Sequence, residues 1–179
     1  MLSDPYRRSF LLLNAIGGIA VLGSYGWGAI AVPDTMGSLW GGVPVGIRPL
    51  YTVNMLLSAA GYFLFAPYVA LKLDTARNDY AGRFGYSIFQ RLFGLVLFPS
   101  ALWLPLTYWM LADPSALVWA LVRIDLFLVG FGSVALFVVL LRLRDPYPRG
   151  RVAALIGLVP FCLQTAVLDA IIWPIFFNQ

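Results

Sequence analysis

Histidine and glutamate are missing from this chain, and cysteine occurs once, at Cys162. Without histidine there is no His-ligated haem or chlorophyll, no His metal site and no His general base. One cysteine forms no intrachain disulfide, and in its apolar run Cys162 reads as a small packing residue. Charge is scarce too. Only 11% of the residues are charged, against roughly a quarter in soluble domains. All eight acidic residues are aspartate. No phosphate-binding loop, metal-ligand set or nucleophile with an adjacent base can be found, so no catalytic residue, metal or cofactor is expected.

Apolar sequence fills the space. The chain of 179 residues is 61% hydrophobic, with a mean hydropathy of +0.84. A soluble fold of this size could not hide that much apolar surface, so the expected solvent is lipid. Spanning about 30 Å of hydrocarbon takes ~20 helical residues. Five runs meet that length, at about 9–32, 49–73, 85–111, 115–143 and 151–177. The expected fold is all-α: one five-helix transmembrane bundle and one domain. Pro49 suits a first helical turn, and Asp113-Pro114-Ser115 is a start signal for the fourth helix. Pro99 and Pro105 in the third run, and Pro160 and Pro174 in the fifth, interrupt the backbone ladder. Ala20, Ser24 and Gly28 recur every four residues and predict a small face for close helix approach. Arg7–Arg8 precede the first run as they would in a signal peptide, but the run is full length and four more follow.

Nine of the twelve basic residues fall in three stretches: Arg7–Arg8, Lys72/Arg77/Arg83 and Arg142/Arg144/Arg149/Arg151. The two intervening connections hold only Arg48. The positive-inside rule then places the N-terminus in the cytoplasm and the C-terminus outside. The net charge of +4 is this topogenic bias, and no nucleic-acid partner is expected. The segment 32–48, rich in glycine and proline yet apolar around Trp40, reads as an interfacial loop lying over the outer end. Between the hairpins 49–111 and 115–177, an offset of 69 residues aligns Gly61 with Gly130, Pro105 with Pro174 and Ser100 with Asp169. A duplicated hairpin is one reading of that match.

Charge inside a bilayer is costly and marks candidate sites. Arg91 lies near a helix end and can snorkel. Arg123 and Asp169 lie at equal depth in the fourth and fifth runs, each eight residues from the outer end, or ~12 Å. An Arg123–Asp169 salt bridge is the expectation. Asp125, two residues from Arg123, faces elsewhere: toward the loop, toward Arg48, or neutral in the bundle. Asn54 sits slightly shallower. All six tryptophans fall in the outer half. Trp27, Trp109 and Trp119 suit an aromatic belt, whereas Trp103 and Trp173 lie deeper and could wall an apolar pocket beside Asp169. The candidate ligand-binding set is therefore Asn54, Trp103, Arg123, Asp125, Asp169 and Trp173.

Gln164…Trp173-Pro174-Ile175-Phe176-Phe177 is similar to a Gln…Trp-x-Pro-x-Phe-Phe run in the third helix of the tryptophan-rich sensory protein/translocator family. Five helices, many tryptophans and a long first outer loop share that family's outline. Here the run sits in the last helix, and the family's Lys-Pro first-loop pattern with paired prolines is missing, so no residue role carries over.

The expected function is non-enzymatic: binding of a hydrophobic small molecule or lipid, or service as an accessory subunit of a larger membrane complex. The alternatives are a small oligomeric transporter using Asp169, Arg123 and Asp125, and an intramembrane lipid or isoprenoid enzyme using Asp125 and Asp169 as acid and base. The expected partners are the bilayer, a hydrophobic molecule, and further copies or subunits. Eleven arginines against one lysine point to a GC-rich genome, and the expected location is a bacterial inner (plasma) membrane.

Overall fold

The computed structural model describes residues 4–77, 80, 84–143 and 148–177. Arg83 and Arg144 of the basic stretches lie outside the described residues. Five stretches are helices long and apolar enough to cross a membrane, the pattern of a multi-pass membrane protein. They are α1 (Pro5–Ala31), α2 (Arg48–Lys72), α3 (Ser87–Ala112), α4 (Ala116–Arg142) and a composite fifth. The fifth begins as α5 (Pro148–Cys162), continues as a π-helix (Leu163–Ile172) and ends as α6 (Trp173–Phe176). Among the described residues there is no strand, only an isolated bridge between Tyr80 and Phe84.

Local chemistry fixes the helix starts. Asp4 caps α1 by accepting from the Tyr6 and Arg7 amides at 3.0 and 3.3 Å. Ser115 caps α4 through the Val118 amide at 3.2 Å, as the Asp-Pro-Ser signal predicts. Pro49 occupies the first turn of α2, where its missing N–H costs nothing. The helices begin and end within a few residues of the runs read from hydropathy.

Helix order in space is not order in sequence. α1 packs on α3, α3 on α4, α4 on the fifth span and the fifth span on α2, while α1 and α2 barely meet. Glycine sets two of these approaches. A Cβ on Gly157 would lie 2.6 Å from the Gly61 carbonyl oxygen, and the reverse clash is as severe, so α2 and α5 cross at a bare glycine pair. A Cβ on Gly28 would lie 2.6 Å from Leu104. The small face of α1 therefore meets α3 through Gly17, Ser24 and Gly28. Ala20, expected on that face, is exposed. Gly61 and Gly130, aligned by the 69-residue offset, both abut the fifth span. Their surroundings differ, because α3 lies between α1 and α4 whereas the fifth span lies between α4 and α2.

The two ends of the bundle are closed differently. At what we term the basic end, Arg7 donates to the Leu71 and Leu73 carbonyls at 3.3 and 3.2 Å. Arg151 donates to the Leu143 carbonyl. Both arginines thus satisfy carbonyls at the ends of α2 and α4, where cations also meet the negative pole of the helix dipole. The Thr75 hydroxyl donates to Asp4. That bond and the two α1 amides hold the Asp4 carboxyl below the usual carboxylate range.

At the loop end, residues 33–47 form two short 3₁₀ helices, Pro33–Trp40 and Val45–Ile47. The Trp173 indole donates to the Leu39 carbonyl at 2.9 Å, and the Gly42 amide donates to the Phe176 carbonyl at 2.6 Å. Gly41 turns with φ 53°, and a Cβ there would press to 3.0 Å from the Phe177 backbone. The apolar loop is thus packed down on the end of the fifth span. Val43 is buried beneath it.

Candidate functional site

The fifth span is where sequence and structure diverge most. The Pro160 carbonyl accepts two bonds from α2, from Asn54 Nδ2 at 3.0 Å and Ser58 Oγ at 2.8 Å. Three residues later the helix opens into the π form, and it returns to α form at Trp173-Pro174. Ten residues of π-helix exceed the single-turn bulges usual for this conformation, which recur at functional sites.

The π register has a direct chemical result. In an α-helix, residues five apart point ~140° away from each other. The i→i+5 winding of a π-helix brings them nearly one above the other. Gln164 and Asp169 are five apart, and Gln164 Nε2 donates to Asp169 Oδ1 at 2.8 Å. Gln164 Oε1 in turn accepts from Asn54 Nδ2 at 3.0 Å. The Ser58 hydroxyl shares its one proton between the Pro160 carbonyl and the main-chain carbonyl of Asn54, at 2.8 and 2.7 Å. This relay runs from α2 into the fifth span and ends on a carboxyl. Among the described residues Oδ1 takes the only hydrogen bond that carboxyl receives, and the Asp169 side chain is only partly covered.

Aromatic residues surround this terminus. The Tyr25 and Tyr51 hydroxyls lie close enough to interact electrostatically with Asp169, and Tyr51 donates to the Leu168 carbonyl at 3.1 Å. Trp103 meets Tyr25 at 6.2 Å and Trp173 at 6.1 Å between ring centroids. Trp173 extends the cluster to Phe177 at 4.4 Å and Trp119 at 6.1 Å. The Trp103 indole nitrogen is buried without a partner. The arrangement is an aromatic cluster beside one carboxyl that is held from behind, with one orphaned N–H donor. Such a site suits a largely apolar molecule carrying a polar group.

Of the six residues read from the sequence, Asn54, Asp169, Trp103 and Trp173 come together here. Arg123 does not. It is exposed on the outside of α4, and among the described residues no salt bridge joins it to Asp169. Equal depth is a statement about height along two helices. Pairing also needs rotation about each axis, and α4 turns Asp125 inward instead. Asp125 is 5% exposed with Oδ2 unpartnered. It does not pair with Arg48, whose Nε donates to the Val43 carbonyl at 3.0 Å and whose guanidinium lies 5.5 Å over Trp40. Register places Asp125 near the depth of Asp169, since Gly130 abuts Ala166 and Ser133 bonds Thr165 further along.

Gln164, Tyr25, Tyr51 and Ser58 were not singled out by sequence reasoning as site residues. The usable signal for Gln164 was an uncharged amide in an apolar run between Pro160 and Pro174. A hollow of about 430 Å³ lined by Arg8, Leu11, Leu12 and Ala15 lies on α1 toward the basic end and shares no residue with the aromatic cluster. Among the described residues no group of three metal-ligating side chains gathers. The chain matches no protein-family model, no curated protein and no solved structure, so the Trp-Pro-x-Phe-Phe likeness of the last helix stays a local one.

Proposed function

We propose that this chain is a non-enzymatic membrane module that binds an apolar small molecule or lipid against the aromatic cluster at its loop end. The observation that carries the reading is the Asn54–Gln164–Asp169 relay. It holds one carboxyl oxygen from behind and leaves the other free for a donor on the ligand. Tyr25, Trp103 and Trp173 supply apolar walls, and the Trp103 N–H supplies a second polar contact. A partner subunit of a larger membrane complex is a compatible setting for such a module. By the positive-inside rule we take the basic end as cytoplasmic and the membrane as a bacterial plasma membrane. Reporter fusions in the 33–47 loop and the 72–86 link test that orientation.

Native mass spectrometry of the detergent-extracted protein is the direct test. A copurifying apolar molecule, lost in Asp169→Leu and in Trp103→Ala, is expected. A wild-type protein that carries no such molecule and binds no apolar fluorescent probe overturns the reading. One observation favours a second reading, transport. The fifth span is a broken helix whose irregular part holds the acid, a recurrent feature of transporter sites. Proton- or ion-dependent flux in proteoliposomes, abolished in Asp169→Asn while binding persists, would select it.

A further inference from the structure

Within α4 the two charges at 123 and 125 part company, ~200° apart around the axis. Asp125 goes inward, while Arg123 is left among side chains that face outward from the bundle. Ile124 and Phe127 beside it are 55% and 64% exposed. Among the described residues Arg123 has no hydrogen bond, ion pair or ring contact. A guanidinium is not left bare in hydrocarbon. Three features say where it goes. A helical side chain leans toward the start of its helix, and α4 starts at the loop end. In that direction the same face carries Ala120 and Ala116, both exposed and too small to block a long stem. The distance back to Ala116 is seven residues, about 10 Å of rise, most of which an extended arginine covers.

We propose that Arg123 holds the phosphate of a phospholipid seated against α4 in the leaflet at the loop end. The fork donates two N–H bonds to phosphate oxygens. The acyl chains run back along Ile124 and the stacked rings of Phe127 and Phe131, 6.4 Å apart with planes 21° from parallel. Arg91 repeats the device at the other end. It is exposed, four residues past Ser87 where α3 starts, and leans toward the basic end. This site is separate from the aromatic cluster beside Asp169 and does not depend on it.

The test is native mass spectrometry of the detergent-solubilised full chain titrated with dimyristoyl phosphatidylglycerol, and with a diacylglycerol of the same chains as the phosphate-free control. The wild type is expected to retain the phospholipid and not the diacylglycerol. Arg123→Gln is expected to bind the phospholipid about tenfold more weakly, and Arg123→Lys, which keeps the charge but loses the fork, to fall between them. Equal phospholipid binding by wild type and Arg123→Gln overturns the proposal, as does equal retention of the two lipids. So does a wild-type dimer that Arg123→Gln and Asp113→Asn each dissociate, because the arginine would then belong to a second copy of the chain.

Discussion

At the basic end, Phe65 meets Tyr62, Phe93 and Phe161 at 5.1 to 5.8 Å, and the hydroxyls of Tyr80 and Tyr86 each find a carbonyl. At the loop end, Trp103, Tyr108 and Asp125 each keep a buried polar atom with no partner. Apart from Arg151 Nε at the basic end, these are the orphaned atoms among the described residues. The same small bundle thus holds a finished core and an unfinished one. Unsatisfied buried polar groups oppose stability, so the loop end is the less completed of the two, and the Trp103 N–H is the orphan that lies in the aromatic cluster beside Asp169.

The largest effect expected of this contrast is at the finished end. Phe65→Ala removes a ring that is 1% exposed and should cost about 3–5 kcal/mol, read by reversible denaturation in mixed micelles. A loss under about 1 kcal/mol would erase the distinction between the halves. Next comes the relay. Gln164→Leu strands Asn54 and Asp169 together and should cost about 1–2 kcal/mol while also weakening ligand retention. A cost without any change in retention would assign the relay to helix fastening alone. Trp103→Phe deletes an N–H that no protein group uses together with part of a half-buried ring, so stability should fall by about 1 kcal/mol. A loss of ligand affinity clearly beyond that would mean that the indole serves the ligand.

The smallest effect is at Asp4, which is partly exposed. Its carboxyl ionises more readily when folded, so its contribution is present at neutral pH and fades as pH drops below about 4. Asp4→Asn should flatten that acid limb of the melting profile slightly, and an unchanged limb would mean the Thr75 contact is not kept in solution.

The five spans were legible because lipid imposes a length and a composition that hydropathy reads directly. Ser115 as a cap and the pairing of Trp103 with Trp173 were legible for similar reasons, since depth and local signals fix them. What stayed hidden depends on rotation and on distant partners. Arg123 and Asp169 share a depth, but only the spatial order of the helices tells which faces meet. Gln164 and Asp169 are off-face in any α-helical wheel, and they meet only because the Pro160 carbonyl is engaged by α2 and the helix beyond it unwinds to π. A residue 106 positions earlier, Asn54, takes part in that change, so no local window contains it.

The pairing order also constrains how the bundle can be made. α1 and α2 leave the ribosome first, yet each must wait for a later neighbour: α1 for α3, and α2 for the fifth span. During synthesis the bilayer therefore hosts two helices joined by little more than the Arg7–Leu71 and Tyr62–Asn14 bonds, one with Asn54 and Ser58 lacking the Pro160 carbonyl that later engages them. A nascent chain halted after Arg142 would be inserted but still lack the partner of its second helix, which makes that stage the natural point for quality-control proteases to intervene.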